Sequence, residues 1–164
     1  MPRIVEQVPE ATLCVAGFGP EETALRAQVR DMGLDDRVRF LGAVPQSGLP
    51  ALYRRAAACV APFVEAASGD QEGLGLVVAE AIGCGCPVVA GSVPAVRDLL
   101  DAGDPGLVDP RNAEALADAV VNVLRNPVVA RENAERRRGM IARFDWSRRA
   151  IAYQSILSGA MTRR

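Results

Sequence analysis

Glu72 and Glu80 stand eight positions apart and bracket a Gly73-Leu74-Gly75 turn that opens an apolar run. From Leu74 to Gly85 every residue except Glu80 is apolar or small. A carboxylate on a helix that is apolar all round needs a polar partner, because burying an unpaired charge is expensive. Gly73 and Gly75 open the N-terminus of that helix, where unpaired backbone N–H groups and the helix dipole favour an anion. A phosphate-bearing ligand would supply the anion, and its sugar hydroxyls would pair with the carboxylates. The competing readings are a solvated helix acid for Glu80 and a favourable charge at a helix start for Glu72. The apolar surroundings favour the ligand reading for Glu80.

The rest of the composition narrows the chemistry. The 164 residues contain no histidine, which removes Ser-His-Asp and Cys-His triads and every His-ligated metal centre. Of the four cysteines, Cys14 and Cys59 lie in apolar strand-like runs, where cysteine acts as a small hydrophobe. Cys84 and Cys86 are too close together and too isolated for a zinc site, and are expected to be packing residues. No metal site is expected. A formal net charge of -1 gives a nucleic-acid partner no electrostatic support. There is no apolar run of membrane-span length and no signal-peptide core at the N-terminus, so the chain reads as soluble and cytoplasmic. With 49% hydrophobic residues, the length suits one globular domain over 1–164.

The elements that must position these residues alternate between strand and helix patterns. Strands are predicted at 12–16, 38–41, 58–61, 87–90 and 106–108, and helices at 21–32, 49–57, from Gly75 onward, and at 94–100. The sheet and donor site fall within 1–110, and 111–164 is helical. Leu116, Ala119, Val120, Val123 and Leu124 share one helix face. Arg136-Arg137-Arg138 reads as a solvated face, and the final helix, 147–160, offers Ile151, Tyr153, Ile156 and Leu157 as anchors, with Trp146 as a core or docking residue. Short buried strands alternating with helices imply a three-layer, Rossmann-like parallel sheet with helices on both faces. Ligands of such sheets sit beyond the carboxyl ends of the strands. Gly17, Gly42, Pro62 and the Glu72 turn should line that edge. Gly17 serves a tight turn as readily as the close approach of a ligand.

Five segments in order, Val15-Ala16-Gly17-Phe18-Gly19-Pro20, Val38 to Val44, Glu72 to Leu76, Glu80 to Ala90, and Phe144-Asp145-Trp146, resemble the donor-binding half of retaining family 4 (group 1) glycosyltransferases of the GT-B fold. The resemblance covers nearly the whole chain. It implies transfer of a hexosyl group from a nucleotide diphosphate sugar, UDP- or GDP-linked, to an acceptor hydroxyl with retained configuration. Glu72 matches the first glutamate of the family's pair, beside the donor sugar, and is the implied catalytic residue. Glu80 matches the second, which holds the ribose hydroxyls. The amides of Gly73, Leu74, Gly75 and Leu76 match those that contact the sugar and diphosphate, and Ala43 and Val44 the strip beside the base. A carboxylate can hold two ribose hydroxyls at once, and helix amides can stabilise a departing diphosphate without a protein-bound metal, so no cofactor is implied.

The sequence also departs from that pattern. The loop Val64 to Gln71 is longer than the family's usual linker, as in some lipid-mannosylating relatives; a sugar, lipid or small-molecule acceptor and a peripheral position at the inner membrane face stay open. The first strand of the donor half, its diphosphate-neutralising Arg and Lys, and the N-terminal acceptor domain are expected to be missing, and Arg3 is not expected to replace the cations. The chain alone is expected to be nearly inactive. Two other classes remain: a non-catalytic nucleotide-binding module that dimerises through an exposed sheet edge, and an epimerase-like domain, disfavoured by the absence of histidine.

Overall fold

A computed structural model describes residues 1–66, 68, 69 and 73–161. The elements in chain order are α1 (Pro2–Gln7), β1 (Leu13–Ala16), α2 (Glu22–Asp31), β2 (Val38–Gly42), α3 (Leu49–Arg55), β3 (Cys59–Ala61), α4 (Leu76–Gly83), β4 (Val88–Gly91), α5 (Pro94–Arg97), β5 (Leu107–Val108), α6 (Ala113–Arg125), α7 (Pro127–Ile141) and α8 (Trp146–Met161). Local chemistry explains several of the boundaries. Pro127 starts α7, where a missing N–H costs nothing. The Asn112 side chain accepts from the Ala115 amide at 2.9 Å and caps α6. Gly33, at φ +64, ends the α2 segment in a conformation that side chains resist.

All strand pairing is parallel. The core is built around β4, every residue of which is buried. Val88 and Ala90 face a cluster formed with Val78, Ala81 and Ile82 of α4 and with Val96, Leu99 and Leu100. Val89 faces the opposite cluster, with Ile4 and Val8 from the α1 segment and Ala117, Val120 and Val121 of α6. Alternate residues of one strand thus feed two cores, which is the three-layer arrangement expected of a strand covered by helices on both faces.

The strands form two sheets. β1 pairs with β2, and β3-β4-β5 form the other. Among the described residues no ladder joins β1 or β2 to β3, β4 or β5.

Side-chain burial departs from the sequence reading at three places. Cys14 is exposed, because β1 lacks a neighbour on one side and α2 buries none of its residues. Arg137, expected on a solvated face, is only 6% exposed. Its guanidinium binds both carboxylate oxygens of Asp104, with Nε–Oδ2 at 2.8 Å, and donates to the Val88 carbonyl at 3.1 Å. Trp146 is 85% exposed, and Ile151, Tyr153, Ile156 and Leu157 are exposed too, so α8 docks none of its expected anchors among the described residues.

Candidate functional site

Gly17 and Val44 follow the carboxyl ends of β1 and β2, and the Gly73–Leu76 turn and Glu80 come after β3 in the chain. Gly17 follows β1 at φ +111, and its N–H donates to the Gly42 carbonyl at 2.7 Å. That backbone conformation gives glycine a turn role here whatever else it does. Two residues after Gly42, the half-buried Val44 lies against the turn at Gly48. A 3-10 turn, Gln46–Gly48, then leads into α3.

α3 carries the residue that the sequence reading missed. Tyr53 Oη donates to Glu80 Oε2 at 3.0 Å. The lone carboxylate of α4 therefore has the polar partner its apolar surroundings demand. Burial first, and then this hydrogen bond, raise the Tyr53 phenol above its ordinary value, so it remains a donor across the physiological range. The Cys59 thiol is pushed up to about 11, mainly by burial and secondarily by the charge of Glu80. The available signal was the need of Glu80 for a partner; the pairing across 27 positions was not encoded in any local spacing.

Gly75 caps α4 with φ +64 and ψ +36, in the left-handed region. It is buried, and a Cβ there would lie 3.2 Å from Leu99 Cδ1. The positive φ and this contact both call for glycine, which lets the helix start dock on α5. Val78 and Ala79 donate to the Gly75 carbonyl at 3.0 and 3.1 Å, so the amides of Leu76 and Val77 lie in the first turn, before the first intrahelical bond. Gly73, Leu74 and Leu76 are exposed beside them. The structure thus links Gly17, Val44, Glu80 and the Gly73–Leu76 turn through Gly42, α3 and the Tyr53–Glu80 bond. Glu72 lies outside the described residues.

The expected roles of the other candidates sort simply. Arg3 pairs with Asp118 of α6 at 2.7 Å and is engaged at the layer of α1 and α6. Cys86 is buried in the core and its thiol is pushed up to about 12 by burial, as packing cysteines should be. Among the described residues no group of three or more acidic or cysteine side chains could hold a metal. No described helix is long and apolar enough to cross a membrane.

With that geometry in place, comparison gives a consistent class. The chain belongs to the glycosyl transferases group 1 family, whose model matches residues 1–126. It is 36% identical to a phosphatidyl-myo-inositol mannosyltransferase of Mycobacterium leprae, over 90% of this chain and 37% of that protein. It is 32% identical to a GDP-mannose-dependent alpha-(1-6)-phosphatidylinositol monomannoside mannosyltransferase of Mycolicibacterium smegmatis, over 97% of this chain and 42% of that one. The structure of a sucrose-phosphate synthase from Thermosynechococcus elongatus superposes with a TM-score of 0.82 at 28% identity, over 98% of this chain and 41% of the other. The chain therefore spans about two fifths of the length of the relatives it matches.

Proposed function

We propose that this chain is the donor-binding part of a retaining glycosyltransferase and holds a nucleotide diphosphate sugar at the carboxyl edge of its strands. The observation that carries this reading is the Tyr53–Glu80 pair on the helix that Gly75 caps. Tyr53 engages one carboxylate oxygen, Oε2; Oε1 has no hydrogen bond among the described residues. A carboxylate steadied in this way can accept from ribose hydroxyls, and each charge-assisted bond is about twice as strong as a neutral one. The amides of Leu76 and Val77, with the positive end of the α4 dipole, would face the diphosphate and stabilise it as it leaves. In this reading the diphosphate needs no protein-bound metal. The strip after β2, at Ala43 and Val44, would flank the base, and Glu72 would orient the transferred sugar.

The names of the mycobacterial relatives favour a hexosyl donor, with GDP-mannose the first to test, and a lipid-linked hydroxyl as acceptor. Such a protein would work in the cytoplasm, at the inner face of the membrane. The relatives are more than twice as long as this chain, and the 164-residue chain alone is expected to bind donor and transfer little.

Calorimetric titration with GDP, UDP and ADP, repeated on Glu80→Ala, tests the reading. Binding of one nucleotide to the parent chain and its loss in the variant are expected. Equal binding by parent and variant would remove Glu80 from the site. Ligand binding should also raise the melting temperature by mass action.

A further inference from the structure

We infer that Phe18 is a specificity-determining residue that stacks on the nucleobase of the donor and favours a purine over a pyrimidine. This inference rests on the donor reading and deepens it at the base. Of the chain's four phenylalanines, three are half-buried. Phe40 lies under the Arg26 guanidinium at 4.3 Å, and Phe63 and Phe144 pack against the core around α4 and β4. Phe18 is 82% exposed and belongs to neither apolar cluster. A single exposed apolar side chain is ordinary on a protein surface; the turn that presents Phe18 sets it apart.

Both ends of that turn are tied by hydrogen bonds. The Gly17 amide donates to the Gly42 carbonyl at 2.7 Å, and the Glu22 amide at the start of α2 donates to the Gly19 carbonyl at 3.1 Å. The Phe18 backbone is thereby held before any ligand arrives, which lowers the ordering cost of a contact. A Cβ at Gly17 or at Gly19 would meet nothing within 4 Å, so the space flanking Phe18 is open. Gly17 and Gly42 form an isolated bridge, and Phe18 and Ala43 each directly follow one of these two glycines. The backbone that carries the ring is thus fastened to the strip that the donor reading puts beside the base.

These features define what the ring would meet. A base lying on the strip has one face against Ala43 and Val44, small apolar side chains that offer no ring. Its other face would stay in water unless an apolar plane covered it, and Phe18 offers such a plane at the carboxyl end of β1. Every base has a π-face, and stacking on an aromatic side chain draws on dispersion and on the ring quadrupole. Phenylalanine has no hydrogen-bonding group, so it grades bases by ring area and not by their edges. A bicyclic purine overlaps a phenyl ring more fully than a pyrimidine does, and gains more contacts from it.

Calorimetric titration with GDP and UDP compares the 164-residue chain with Phe18→Leu, which keeps an apolar side chain and removes the ring. GDP is expected to bind the parent more tightly than UDP. Phe18→Leu should weaken GDP about five- to a hundredfold and UDP less, which narrows the ratio between them, with Tm unchanged. In Phe18→Trp, made with Trp146→Phe so that the new indole is the sole one, GDP should quench the tryptophan emission. Equal weakening of both nucleotides in Phe18→Leu would overturn the inference, because it would mean a general effect on the site. Tighter binding of UDP than of GDP by the parent, or unquenched emission at saturating GDP, would also overturn it. GDP binding that is lost in Glu80→Ala and untouched in Phe18→Leu would remove Phe18 alone and leave the donor reading standing. Failure of both nucleotides to bind the parent at millimolar concentration would remove the donor reading, and this inference with it.

Discussion

Tyr53 Oη and Glu80 Oε2 lie 3.0 Å apart and join the helix that follows β2 to the helix that follows β3. Tyr53→Phe removes the donor and keeps the ring. It is expected to weaken nucleotide binding about three- to tenfold, the scale of one lost hydrogen bond to a charged group at a half-exposed position. The fold should be retained, with unchanged far-UV circular dichroism. Isothermal titration of Tyr53→Phe beside Glu80→Ala reads the difference directly; no change in affinity would mean that the pair only joins two helices.

Arg137 and Asp104 form the most buried ion pair among the described residues. Arg137→Met leaves a nearly buried carboxylate without its partner, which costs about 3–5 kcal/mol. For a chain of this size that corresponds to a fall in Tm of roughly 6–20 °C. The double variant Arg137→Met with Asp104→Leu should recover part of the loss, since no charge is then stranded. Urea denaturation of the two variants checks both statements, and a double variant less stable than Arg137→Met would refute the account.

Cys59 gives a pH dependence with a definite sign. Its folded thiol titrates near 11, against 9.0 unperturbed, because burial and the Glu80 charge disfavour the thiolate. A group raised in the folded state adds stability that is complete below the unperturbed value and is lost as pH rises through the folded one. Stability should therefore decline between about pH 9 and 11, and Cys59→Ala should lessen that decline, with Cys86 and Tyr53, both raised in the folded state, supplying the remainder. At pH 8 a maleimide should label the exposed Cys14 first, with Cys59 and Cys86 reacting only on unfolding.

Gly91 ends β4 beneath the chain leaving β3. A Cβ there would collide with the Phe63 carbonyl oxygen and lie 2.7 Å from Pro110 Cβ. Gly91→Ala should destabilise the protein by about 2–3 kcal/mol. It should also displace the segment that leads toward the donor site, so nucleotide affinity should fall together with Tm. Gly73→Ala, where a Cβ meets nothing within 4 Å, is the matched control and should leave Tm unchanged.

The sequence carried the order and kind of the elements because each rests on local chemistry. Gly33 stops a helix, Asn112 caps one, and the apolar runs at β3 and β4 are continuous where both faces are covered. Gly75 was legible as a helix start for the same reason. What escaped were relationships across the fold. The arginine triplet looks solvated on one helix, and only the approach of Asp104 buries Arg137. The partner of Glu80 was required by electrostatics, yet Tyr53 could be found only by bringing α3 against α4. Trp146 and its neighbours on α8 look like core in composition, but burial depends on what is packed against them.

The seating of α1 on α6 has a consequence for synthesis. Arg3 and Asp118 are 115 positions apart, and the apolar cluster of Ile4 and Val8 is completed only once α6 exists. At roughly 5–20 residues per second, α1 leaves the ribosome about 6–23 s before its seat does. Over that interval a chaperone that holds short apolar helices would have its target at Ile4 and Val8, and the release of that helix would mark the closing of the domain.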